Sequence, residues 1–168
     1  MATNLEFIKS ASGTSVSSLS VTDCFSADYD VYQIHINKME VSVEEQFRLR
    51  FIDSGGVITT TSYDWAYADL RADATFPQQK ATSQSQIRLH NSGSTNSAYI
   101  GGFVYNIFNP FDNSSYTFTQ GQSSARAGTA LRGSKNIGVL KSATSCTGVN
   151  FSNMGGTLSL TVNVYGVK

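Results

Sequence analysis

Alternation of apolar and polar residues at period two runs through most of this chain. In the stretch QFRLRFIDSGGVITTT, residues 46–61, Phe47, Leu49 and Phe51 alternate with Arg48 and Arg50. Successive side chains of a strand point to opposite faces, so the apolar triplet predicts a core face and the two arginines a water face. Asp53-Ser54-Gly55-Gly56 supplies the positive φ angles of a tight turn, and Val57 to Thr61 returns as β-branched residues, which together predict a hairpin. The same pattern predicts a strand over 29–39, with Tyr32, Ile34 and Ile36 against Gln33, His35 and Asn37. It is cleanest over 157–167, where Leu158, Leu160, Val162 and Val164 oppose Ser159, Thr161, Asn163 and Tyr165. Shorter strands are predicted at 16–21, 86–90, 116–120, 137–141 and 148–152, and a longer one at 98–109, ended by Pro110 and carrying a bulge or a close approach of neighbouring backbone at Gly101-Gly102.

Between these runs the chain is polar. Leu5 and Phe7 alternate with Glu6 in a short extended segment that the Ser- and Gly-rich residues 10–15 end, and residues 41–45 and 91–97 read as a bend and a turn. Two long loops are predicted. Residues 70–85 turn polar around Pro77, with a helical turn over ADLRADA, and residues 121–134 hold too few apolar side chains for a buried strand. The tally is about eight to ten strands and no amphipathic helix of normal length, which predicts an all-β, antiparallel β-sandwich of jelly-roll-like form. Residues 1–15 are expected as an N-terminal arm or edge strand, and residues 16–168 as a single domain. Periodicity does not give the strand order.

Composition narrows the partners. A chain of 168 residues is long enough to bury about two-thirds of its unfolded surface without a staple. Twelve Lys+Arg against 12 Asp+Glu give a formal net charge of zero, which leaves no overall basic footprint for nucleic acid and little repulsion against self-association. The start MATNLEFIKSASG is not of secretory type and no apolar run is long enough to span a bilayer as a helix, so synthesis in the cytosol and no membrane partner are expected. Cys24 and Cys146 lie outside any metal-ligand spacing and read as small buried hydrophobes, unless the fold pairs them in an oxidising medium.

Candidate chemistry is sparse. No Gly-x-Ser-x-Gly turn or phosphate loop occurs, and His35 and His90 have no His or Cys partner at ligand spacing. Asp64, Asp69 and Asp73 match no calcium loop, although two carboxylates at roughly 5 to 9.5 Å would suffice for a glycosidase. The expectation is a protein without catalytic, cofactor-binding or metal-binding residues. Tyr63, Trp65 and Tyr67, on one strand face, form either part of the core or a platform for a sugar or a protein interface, the core being the commoner use of such a face. Leu5, Phe7 and Ile8 are the candidate docking arm.

Three stretches carry a family resemblance: ATNLEFIKSASGTSVSSLSVTDCFSADYDVYQIHI, LRFIDSGGVITTTSYDWAYADL and IGVLKSATSCTGVNFSNMGGTLSLTVNVYGVK. They resemble virion structural proteins of tailed bacteriophages, notably those of marine cyanobacteria. The resemblance rests on the F-x-x-x-Y-D-x-Y-x-I segment from Phe25 to Ile34, the Arg-Leu-Arg-Phe strand before a Gly turn, and the Tyr-Gly-Val-Lys ending. It implies a virion location, other virion proteins as partners and no carried-over catalytic residue; homo-oligomer formation is expected separately, from polar faces rich in Ser, Thr and Asn and from the low net charge. The expected role is an outer capsid decoration or cement protein, since the chain is spent on one β domain. The alternatives are a tail or tail-fibre component that binds host-surface glycan and, third, a polysaccharide depolymerase.

Overall fold

A computed structural model of the chain describes residues 4–90, 95, 101–127 and 130–168. Among them run thirteen strands: β1 (Leu5–Val16), β2 (Ser18–Val21), β3 (Val31–Val41), β4 (Phe47–Asp53), β5 (Gly56–Val57), β6 (Tyr63–Arg71), β7 (Gln78–Gln84), β8 (Ile87–His90), β9 (Gly102–Phe108), β10 (Thr117–Ala127), β11 (Ala130–Leu140), β12 (Gly148–Asn153) and β13 (Leu158–Val167). They form a wide sheet in the order β1-β13-β3-β9-β10-β11-β6-β7 and a short sheet in the order β2-β12-β4-β5, with β8 also paired to β4.

Four of the antiparallel pairings nest inside one another: β1 with β13, β2 with β12, β3 with β9 and β4 with β8. A long antiparallel ribbon folded over in this way and rolled into two sheets is a jelly roll, the predicted class. The remaining strands are additions. The hairpin β6–β7 is inserted between β4 and β8, the hairpin β10–β11 between β9 and β12, and the two pair with each other through β11 and β6. They widen one sheet beyond the edge of the roll.

The roll follows its alternation. Phe47, Leu49 and Phe51 on β4, Tyr32, Ile34 and Ile36 on β3, and Leu158, Leu160, Val162 and Val164 on β13 all join one buried cluster with Phe103, Tyr105, Ile107, Val149 and Phe151. Burying a Leu, Ile or Phe side chain contributes about 1.5 to 3 kcal/mol, so this cluster dominates the stability of the fold. Phe47 stacks on Phe151 at 5.5 Å across the β4–β12 pair and packs against Phe103 of the wide sheet at 5.3 Å, which ties the two sheets together.

Several expected loops are strands. Residues 10–15 continue β1 because an edge strand needs only its backbone paired to β13; irregularities between Phe7 and Lys9 and between Gly13 and Val16 absorb the mismatch. The segment 70–85 contributes the end of β6 and all of β7, and ADLRADA is extended through Arg71 rather than helical. Of residues 121–134, 121–127 belong to β10 and 130–134 to β11, paired with each other, and 128 and 129 lie outside the described residues. Conversely, the strand predicted after the Gly turn is short, with β5 covering only Gly56–Val57. The turn itself is as expected: Ile52 pairs with Val57 and Asp53 with Gly56, whose φ is 106°, while Asp53 Oδ1 accepts from Gly55 N–H at 2.8 Å. Apart from Thr95, the predicted turn over 91–97 lies outside the described residues, as do residues 98–100 of the strand predicted there.

Candidate functional site

The widened part of the large sheet inverts the usual distribution of side chains. Its inner face on β10 and β11 carries Thr117, Thr119, Ser134 and Asn136, all buried. Large neighbours close over this small inner face. The Tyr105 ring lies so near Gly121 that a Cβ there would meet it at 2.0 Å, and Ile87 of the short sheet covers Gly138, where a Cβ would come within 2.8 Å. Asn136 Nδ2 donates to Leu89 O at 3.4 Å and to Tyr105 Oη at 3.3 Å, and the Ser123 and Ser134 hydroxyls meet at 2.8 Å. Burial pushes the Tyr105 phenol far above its ordinary value, so it stays neutral as a partner in this network.

The outer face of the same strands carries the apolar residues. Phe118 is 47% exposed, Ile137 57% and Leu131 61%. Register sets the first two close together: Phe108, Phe118 and Val139 lie in one row across β9, β10 and β11, and Ile137 lies in the next row between Gln120 and Ala66, while Leu131 lies further along β11, opposite Arg126. A shallow depression lined by Phe108, Phe118, Ile137, Val139, Ala66 and Lys80 opens here. Exposed apolar side chains gathered in this way make a candidate contact surface. Asp64 at its rim forms an ion pair with Lys141 at 2.9 Å and accepts from Ser83 N–H at 2.8 Å. Those two hydrogen bonds, Lys141 first, hold its carboxyl below the ordinary range.

The Tyr63, Trp65 and Tyr67 ladder forms as expected, but on the inner face of β6. Tyr63 is fully buried, accepting from Phe51 N–H and donating to Ile58 O, both at 3.1 Å. Tyr67 is also buried and only Trp65 keeps partial exposure. The Trp65 and Tyr67 rings lie nearly parallel with centroids 5.7 Å apart, and the Arg88 guanidinium rests over both, 5.7 and 5.6 Å from the centroids. The ladder is therefore a wall of the interior with one open end.

Leu5, Phe7 and Ile8 belong to the paired edge strand β1, not to a free arm. Phe7 is 58% exposed and stands edge-on to Tyr165 at 5.8 Å. His35 sits on the outer face of β3, its Nε2 2.7 Å from Gln33 Oε1 and its ring 4.9 Å from that of Tyr165; the His90 side chain lies outside the described residues. The three aspartates do not converge. Asp64 points outward, Asp69 is buried on the inward side of β6, and Asp73 lies past the strand end in a pair with Arg71 at 3.1 Å. Among the described residues no group of three His, Cys, Asp or Glu side chains is placed to hold a metal ion. Cys24 and Cys146 are both buried and free, and desolvation pushes their thiols up to about 12 and about 11, far from reactive thiolates.

No family model and no curated protein matches the chain. Among solved structures it is weakly similar to a human SPRY domain, at 14% identity and a TM-score of 0.20 over 90% of this chain and 96% of that one. It is weakly similar also to Ail, the attachment invasion locus protein of Yersinia pestis, crystallised with the heparin analogue sucrose octasulfate, at 10% identity and a TM-score of 0.14 over 82% of this chain and 97% of that one.

Proposed function

We propose that the chain is a non-enzymatic structural protein of a tailed-phage virion, an outer capsid decoration or cement protein acting through protein–protein contacts. The observation that carries the reading is the inverted sheet face, where Phe118, Ile137 and Leu131 are exposed while Thr117, Thr119 and Asn136 are buried behind them. Exposed apolar rows on a rigid antiparallel sheet suit docking to a second protein surface better than binding a small polar substrate. The scattering of Asp64, Asp69 and Asp73 over two faces and a strand end supports a role without turnover, and the family resemblance supplies the virion. The tail or fibre alternative, with host-surface glycan as ligand, draws instead on the arginines of the short sheet.

The test adds purified chain to undecorated tailed-phage heads. Wild-type protein is expected to bind and to raise the resistance of the heads to heat, and the Phe118→Ser/Ile137→Ser double variant to lose occupancy while remaining folded. Equal occupancy of both proteins, or recovery of the chain in the tail fraction of disrupted particles, overturns the reading.

A further inference from the structure

The outward face of the short sheet holds a charge cluster that the net charge of zero conceals. Arg48 and Arg50 alternate with the buried Phe47, Leu49 and Phe51 on β4, and the β4–β8 register sets Arg48 opposite Arg88. On the other side of β4, Ser152 pairs with Arg48 and Asn150 with Arg50, so the neighbours are hydroxyls and amides. None of the outward residues on the described strands of this sheet is an acid; Glu45, just before β4, is the carboxylate that Arg48 senses. Arg50 is fixed by neutral acceptors, with Nε donating to Ser85 O at 3.0 Å and Nη2 to Gln86 Oε1 at 2.6 Å. Arg88 donates to Gln79 Oε1 at 2.7 Å and, with the Gln46 amide turned over so that its oxygen faces the guanidinium, to Gln46 at 3.2 and 3.3 Å; its guanidinium lies over Trp65 and Tyr67.

Arg48 differs. Its Nε is buried without a hydrogen-bond partner. Burial, then Arg50 and Arg88, hold its guanidinium below the ordinary value. That Nε is out of reach of any external ligand, but three crowded guanidinium groups call for negative charge. The surrounding Gln, Asn and Ser side chains and the partly exposed Trp65 are the groups that recognise sugar hydroxyls and ring faces. Three arginines on a chain of zero net charge are too few to follow a duplex backbone.

We propose that Arg48, Arg50 and Arg88, with Gln46, Asn150 and Ser152 around them, form a binding site for an acidic polysaccharide bearing carboxylate or sulfate groups. The site lies on the short sheet, away from the apolar outer face of the wide sheet, and so is independent of which particle surface that face meets. Isothermal titration at fixed ionic strength tests it with polygalacturonate for carboxylate, dextran sulfate for sulfate and neutral dextran as control. At least one polyanion is expected to bind and neutral dextran not to. Arg48→Gln is expected to weaken that binding about tenfold or more without lowering the melting temperature, since no hydrogen bond holds its Nε. Lys135→Gln, an exposed cation on the wide sheet, is expected to change nothing. If glutamine lowers the melting temperature, Arg48→Lys keeps the charge and stem but not the planar fork, and weaker binding is again expected. Failure of both polyanions to bind, equal losses from Arg48→Gln and Lys135→Gln, undiminished binding by a folded Arg48 variant, or equally tight Arg48-dependent binding of duplex DNA or poly-glutamate overturns the proposal.

Discussion

The roll and its extension solve the same problem, keeping a sheet covered, with opposite residue types. In the roll, apolar side chains from β3, β4, β12 and β13 interdigitate and polar ones face out. In the extension formed by β6, β7, β10 and β11, glycine, serine, threonine and asparagine face in on β10 and β11, while Phe118, Leu131 and Ile137 face out. The extension is held by backbone pairing, by the Asn136 and Ser123–Ser134 hydrogen bonds, and by bulky side chains reaching over from Tyr105 and Ile87. Apolar residues are thus free in the extension to serve contact with something else, whereas in the roll they are committed to folding.

This contrast is breakable at graded cost. Phe151→Ala in the roll removes a fully buried ring stacked on Phe47 and is expected to cost about 3 to 5 kcal/mol in a denaturant titration. Gly121→Ala in the extension drives a methyl into the Tyr105 ring and is expected to cost about 1 to 3 kcal/mol by the same measurement. A cost equal to that of Phe151→Ala would erase the distinction. Phe118→Ser removes an equally large ring from the outer face and is expected to leave stability within about 0.5 kcal/mol, while loss of self-association in sedimentation velocity would mark the face as the contact.

The smallest effect is the most specific to the extension. Asp64 ties the start of β6 to Lys141, just past β11, and its carboxyl is held below the ordinary range, so the folded protein binds that proton less readily than the unfolded chain. Its stabilisation is therefore fully present above the unfolded pKa and is lost as pH falls through the folded one. Melting temperatures of wild type and Asp64→Asn are expected to differ near neutral pH and to converge as pH drops below about 4.

The same contrast explains what was readable in the sequence. Strands β3, β4 and β13 were legible because their inward positions are large apolar residues at period two, broken in β3 only where Met39 follows Ile36 across an irregularity at Lys38. Most of β10 and β11 was not, because the signal for a buried strand is apolar periodicity and their inner positions are small and polar; their status as strands depends on neighbours distant in sequence. The end of β1 and all of β7 escaped for a related reason, since strands at a sheet edge need no buried side chains. The outward placement of Arg48 and Arg50 was visible from their alternation with Phe and Leu. Their meeting with Arg88 required the β4–β8 register, which no local pattern encodes, and a net charge of zero pointed away from any basic site.

The nested pairing also orders folding in time. Ser20 and Asn150, which hydrogen-bond across β2 and β12, are 130 residues apart in sequence. At about 5 to 20 residues per second, roughly 6 to 26 s separate their synthesis. During that interval β1 and β2 have no partners to pair with, because theirs, β13 and β12, lie far downstream in the chain. Contacts of such long sequence separation slow folding and leave unpaired edges open to other chains. The polar character of β1 between Ser10 and Ser15, read from the sequence as a loop, thus has a use before the native state exists: it makes a waiting strand a poor template for the wrong neighbour.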